Sequence, residues 1–119
     1  MTHMQGTMLI FKPSTIEPEV HPFKRPPKLQ ELQRAVGGWL EAVPHFLAIK
    51  HAGREHRCVA FCNEDGKLER SSYSHSFVGP LPINMEATRR WQQLNPLGGD
   101  YLVGNIAVLF GDPEFMESL

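Results

Sequence analysis

Hydrophobic residues in this chain gather in short runs set apart by proline, glycine and asparagine, a layout that predicts brief strands and helices joined by marked turns. Met8-Leu9-Ile10-Phe11 is the first strand-like run. The residues before it lack periodicity, so 1–7 reads as a flexible leader and 8–119 as one domain. Lys12 to Pro27 carries five prolines, Pro13, Pro18, Pro22, Pro26 and Pro27. They supply no amide donors and disfavour helix, so the stretch reads as an extended loop laid against the surface.

Helix signals begin at Pro27, and Leu29, Leu32 and Val36 form one apolar stripe. Gly37-Gly38 supplies the left-handed terminator. Trp39 to Ile49 is mostly apolar with Pro44 in its middle, which predicts a strand that bulges there or lies at an edge. Lys50 to His56 is polar and turn-like. Arg57 to Cys62 reads as a strand, Asn63-Glu64-Asp65-Gly66 as a hairpin turn with glycine at positive φ, and Lys67 to Arg70 as the returning strand. Ser71 to Gly79 is serine-rich and loop-like. After the turn at Leu81-Pro82, Asn84 introduces a helix over Met85 to Leu94, stopped by Asn95-Pro96. Tyr101 to Phe110 is apolar on both faces apart from Asn105, the mark of a central strand, and Gly111-Asp112-Pro113 leaves a short tail. The order β-α-β-β-β-α-β predicts an α+β fold: a single compact domain with one mixed β-sheet of four to five strands and two helices.

At 119 residues the chain suits one domain, which buries roughly 65% of the surface its unfolded form exposes. Its formal net charge is −1, from 12 basic and 13 acidic side chains, so the composition builds in neither the basic field of a nucleic-acid binder nor a strongly acidic surface. No apolar run approaches the ~20 residues of a membrane span, and the first residues lack a signal-peptide layout, which points to the cytoplasm. Cys58 and Cys62 fall in a strand-like run, where positions four apart face one side about 13 Å from each other. That separation precludes a bridge or a shared metal, and two free, buried thiols fit a reducing compartment.

The densest candidate chemistry lies between Leu81 and Trp91. Asn84 is placed to cap the helix, and the exposed amides of a helix start attract anions. Asn84 with Arg70, Arg89 and Arg90 therefore makes a candidate site for a phosphate or carboxylate. Against that reading, Glu86 stands four residues before Arg90, where a surface ion pair is expected, and Trp91 falls on the apolar Ala87-Trp91-Leu94 stripe. The loop before the helix presents Tyr73, His75 and Phe77 in alternation, three rings that either close over a ligand or form a simple excursion. His51, His56 and Cys58 match no zinc-ligand spacing, and His75 among serines lacks a nucleophile motif. No metal and no cofactor is implied.

Four blocks in order resemble a known family: Leu32-Gln33-Arg34-Ala35-Val36-Gly37-Gly38-Trp39-Leu40-Glu41-Ala42-Val43, Cys62-Asn63-Glu64-Asp65-Gly66-Lys67-Leu68, Leu81-Pro82-Ile83-Asn84, and Asp100-Tyr101-Leu102-Val103-Gly104-Asn105. They are similar to the domain of unknown function 3846 family over nearly the whole chain. The resemblance implies a small α+β domain of bacteriophages, prophages, plasmids and conjugative elements, and it implies no established activity. Two stretches depart from the family pattern: Ser71 to Gly79 intervenes before Leu81-Pro82, and Lys50 to His56 is longer than usual.

The resemblance and the missing catalytic constellation lead to an accessory protein of a phage or mobile element that binds without catalysis. Its expected role is counter-defence, through a host protein or a small anionic, nucleotide-like ligand. The alternative is a nucleic-acid-associated factor using Lys50, Arg54, Arg57, Arg70, Arg89 and Arg90 as one basic patch, and a third is a hydrolase built on His75 or His56. The edge strands of a small sheet add a homo-oligomer to the expectations.

Overall fold

In the computed structural model, which describes residues 4–67 and 80–119, the chain is built around two central strands. The elements run β1 (Gly6–Phe11), β2 (Glu19–Phe23), α1 (Leu29–Val36), β3 (Leu40–Ala42), β4 (Ala48–His51), β5 (Arg54–Arg57), β6 (Val59–Asn63), α2 (Met85–Leu94), β7 (Ile106–Gly111) and α3 (Pro113–Glu117). Five strands form one sheet in the order β2-β1-β7-β6-β3, and β4 and β5 form a separate hairpin. The α+β class, the single compact domain and the five strands of the main sheet are those the sequence predicts, while the separate two-stranded hairpin and a third helix are additions to that expectation. The sheet expected to be mixed is antiparallel at every one of its pairings.

Strand alternation explains the two-sided core. Leu9 and Phe11 of β1 join Ile106, Val108 and Phe110 of β7 on one face, covered by Phe46, Ile49 and Ala87. Met8 and Ile10 join Ala107 and Leu109 on the other, covered by Leu32, Ala35 and Val36 of α1 and by Phe115 of α3. β7 is therefore buried from Ile106 to Phe110 on both sides, as a central strand must be. It is also shorter than predicted. Tyr101 to Asn105 lies outside it, touching the rest through an isolated bridge between Ile83 and Val103 and through Asn105, whose Nδ2 donates to the Ala35 carbonyl at 3.2 Å.

Several boundaries differ from expectation for physical reasons. β1 starts at Gly6, inside the expected leader, because Gly6 pairs with Gly111. The proline-rich stretch contains β2, which is possible because β2 is an edge strand and Pro22 has no ladder donor to lose on its open side. Leu29 is exposed and Ala35 takes its place on the buried stripe of α1. Gly37 ends α1 at φ 80°, as the terminator reading requires.

Trp39 to Ile49 does not form one bulged strand. It breaks into β3 and β4 at a turn where His45 has φ 61°, and the two halves enter different sheets. Lys50 to His56, expected to be a turn, forms most of the β4–β5 hairpin, with only Ala52 and Gly53 at its tip. The turn after β6 is present, the Gly66 N–H donating to the Asn63 carbonyl at 3.1 Å, yet positive φ belongs to Gly37, Gly53 and Gly104 rather than to Gly66. β6 has β7 on one side and β3 on the other, and most of the expected return strand, 68–70, lies outside the described residues. The tail holds a third helix, α3, capped by Asp112, whose Oδ1 accepts from the Phe115 N–H at 2.9 Å. No helix among the described residues is long and apolar enough to cross a membrane.

Candidate functional site

α2 spans the residues predicted, and its start is a buried joint. Asn84 is fully buried; its Oδ1 accepts from the Ala87 N–H at 3.1 Å, which is the cap. Its Nδ2 donates to the Phe11 and Gly104 carbonyls, both at 2.8 Å, so both donors of the amide are spent on the end of β1 and the approach to β7. Asn84 ties three segments together and presents no N–H to a ligand.

The arginines beside it are likewise engaged. Glu86 is buried and receives Arg89 through Nε at 3.1 Å and Arg90 through Nε at 2.9 Å. Hydrogen bonding from Arg89 holds the Glu86 carboxyl below its ordinary value against the opposing effect of burial, with Arg90 adding to the lowering. Arg90 also reaches back, donating to the Lys50 carbonyl at 3.2 Å with its guanidinium 5.1 Å from the centre of the Phe11 ring. One carboxylate thus gathers both cations. Asn84, Arg89 and Arg90 lie along the cap and first turns of one helix, and each faces a protein partner. Arg70, Tyr73, His75 and Phe77 lie outside the described residues.

The basic patch proposed from sequence is also divided. Arg54 and Arg57 are three apart on β5, so strand alternation turns them to opposite faces, and Lys50 stands opposite Glu55 in the hairpin register. Burial pushes the Cys58 thiol up to about 12. It also pushes that of Cys62 up to about 11, with the Glu41 charge adding to the rise, so neither thiol is poised as a nucleophile at neutral pH.

An open apolar groove lies at the far end of α2. A cavity of about 540 Å³ is lined by Pro44, His45, Trp91, Leu94, Leu97 and others. A second of about 240 Å³ adjoins it through shared Pro44, Trp91 and Asp100 and runs along β3 past Glu41 and Glu64. The geometry follows from the broken strand: the Trp91 Nε1 donates to the Pro44 carbonyl at 2.8 Å and the Asn95 Nδ2 to the His45 carbonyl at 3.1 Å, so α2 pins the turn that forms one wall. Trp91 is half-buried, packed against the core on one side and lining the groove on the other. Leu97 is fully exposed and Leu94 partly so. Lys67 bonds Asp100 at 2.5 Å on the rim, and that bond, with the Tyr101 N–H, holds the Asp100 carboxyl below its usual range.

Sequence reasoning did not reach this groove. Its one local signal is the leucine after Asn95-Pro96: a helix stopped at that proline leaves Leu97 with no helical face on which to be buried.

Residues 4–118 match the family model described as Domain of unknown function (DUF3846), and the chain belongs to that family. No curated protein and no solved structure matches it.

Proposed function

We propose that this member of the DUF3846 family acts by binding, without catalysis, as an accessory protein of a phage or other mobile element in the bacterial cytoplasm. Its partner in this reading is a host protein of a defence system, seated in the Trp91 groove. The observation that carries the binding reading is the groove itself, where Trp91, Leu94 and Leu97 present apolar surface beside backbone and polar rim. Contiguous exposed apolar surface rimmed by polar groups is the composition of a protein contact, and tryptophan is a favoured anchor within one.

Charge narrows the partner. Glu41 and Glu64 line the adjoining compartment, and neither has a cation partner among the described residues. The groove therefore suits a segment with apolar anchors beside a lysine or arginine. The small-anion reading at Asn84 has less support, because the donors of Asn84 and the charges of Arg89 and Arg90 are already used within the protein. The mobile-element and counter-defence context is supported by the family resemblance of the sequence blocks.

A photo-crosslinking residue at position 97, compared with one at exposed Gln30 on α1, tests the surface in the bacterial host. The expected result is a host protein crosslinked at 97 and absent at 30, binding the purified chain directly, with Leu97→Asp weakening that affinity at least about tenfold. Wild-type affinity in a folded Leu94→Asp/Leu97→Asp variant would overturn the assignment of the groove. Turnover of nucleotides or nucleic acid by the pure chain, abolished by one substitution, would overturn binding without catalysis.

A further inference from the structure

Toward the β2 edge of the five-stranded sheet, β5 packs against β7, and residues of β5 and of the ends of β1, β2 and β7 line a cleft of about 670 Å³. Two cations enter it from different elements, Lys24 just past β2 and Arg54 on β5. Both are exposed, and neither has a carboxylate within ion-pair distance among the described residues; Lys28, Arg34, Lys50 and Arg57 share that property, but Lys24 and Arg54 are the pair that line one cleft.

The cleft is a held arrangement. The two-residue tip at Ala52-Gly53 fixes the β4–β5 register, so His51, Arg54 and His56 share one hairpin face. His56 stacks on Phe110 with ring centres 4.1 Å apart, and His51 meets the same ring at 5.8 Å, so the hairpin is clamped and Arg54 is carried over the cleft. Thr7 and Pro22, opposite each other in the β1–β2 register, line it from beneath. The acid in its lining, Asp112, is spent on backbone: Oδ2 accepts from the Gln5 N–H at 2.7 Å and Oδ1 from the Phe115 N–H at 2.9 Å.

We propose that this cleft binds a small molecule through a phosphate group, with Arg54 offering its planar fork, Lys24 a point charge, and Thr7 and His56 hydrogen-bonding capacity at the wall. Arginine supplies two parallel N–H donors to a phosphate, and a lysine alongside completes a charge-assisted clamp. The volume lies within the ordinary range of small-molecule sites and leaves room beyond the phosphate for an organic portion. The site is separate from the Trp91 groove and does not depend on a host partner.

Calorimetric titration of the full chain with inorganic phosphate, adenosine monophosphate and adenosine tests the proposal. Binding of either phosphate-bearing probe, weakened about tenfold or more in Arg54→Gln and again in Lys24→Gln, is the expected result, with adenosine inert. Phosphate binding as well as the nucleotide identifies a site for the free anion, and the nucleotide binding better identifies a phosphomonoester site. Both outcomes support the clamp. Adenosine matching the nucleotide, affinity unchanged in Arg54→Gln, or no heat from either phosphate-bearing probe at millimolar concentration overturns it. Unfolding midpoints of the two variants, expected to match the parent because both side chains are exposed, separate lost binding from lost structure.

Discussion

Asn84 offers a direct test of what its amide does, because two substitutions separate its two jobs. Asn84→Ala removes the cap on Ala87, worth about 1 kcal/mol. It also removes the donor from two buried carbonyls, Phe11 and Gly104, at roughly 1–3 kcal/mol each. The expected loss is therefore roughly 3–7 kcal/mol, a large part of the 5–15 kcal/mol typical of a domain's whole stability. Asn84→Asp keeps an acceptor for the Ala87 N–H and suits a helix start, so a residue acting only as a cap would tolerate it. In this fold it removes both N–H donors and sets a carboxylate against two carbonyl oxygens in a site with no solvent. The aspartate variant should lose at least as much stability as the alanine variant at neutral pH. Urea unfolding followed by circular dichroism and tryptophan fluorescence measures both. An aspartate variant within about 1 kcal/mol of the parent, with alanine well below it, would show that the cap alone matters and that the ties to Phe11 and Gly104 contribute little.

Gly6 makes a steric test of the opposite sheet face. A Cβ there would overlap the ring of fully buried Phe115, so Gly6→Ala should destabilise by about 1–3 kcal/mol in thermal unfolding, and Phe115→Leu should relieve part of that rather than add to it; strict additivity would refute the contact. Glu31 makes a pH test: hydrogen bonds from the Arg25 side chain first, then from the Lys28 backbone, draw its carboxyl from about 4.5 down to about 2. Because the folded group titrates lower than the unfolded one, the pairing stabilises fully above pH 4.5 and is lost as the pH falls through about 2. Carbon-detected NMR titration should show Glu31 moving back toward 4.5 in Arg25→Gln, and an unmoved midpoint would remove Arg25 as the cause.

What was legible in the sequence is what local pattern determines. α2 could be bounded from both ends because asparagine at its start and Asn95-Pro96 at its stop act within one turn, and Gly37 could be placed because its role is set by its own φ. The central strand was legible in kind, since burial on two faces leaves an unbroken apolar run, but not in length: Tyr101, Leu102 and Val103 extend the apolar pattern, yet the chain from Tyr101 to Asn105 is held by a bridge and side-chain bonds instead. β2, most of β5 and the second half of β4 were lost because local pattern does not report an element's place in a sheet. Proline and polar residues argue against a strand locally, whereas an edge position and a two-residue turn permit one, and edge status is a property of the whole sheet.

The sites follow the same division, and more sharply. Asn84, Arg89 and Arg90 are near in sequence and near in space, so their grouping could be read, but Glu86 binds both arginines at spacings of three and four, and the donors of Asn84 go to carbonyls 73 and 20 residues away. A local cluster of complementary groups tends to satisfy itself, and this one becomes a joint. Lys24 and Arg54 have the reverse history. Nothing connects them along the chain: Lys24 follows an edge strand of the five-stranded sheet, Arg54 lies in the separate hairpin, and the packing of that hairpin, with His51 and His56 against Phe110, brings Arg54 to the cleft. The sequence pattern groups Arg54 with Lys50 and Arg57 of its own hairpin, whereas its neighbour across the cleft, Lys24, is set by how the hairpin packs on the sheet, and no local spacing carries a sign of that pairing.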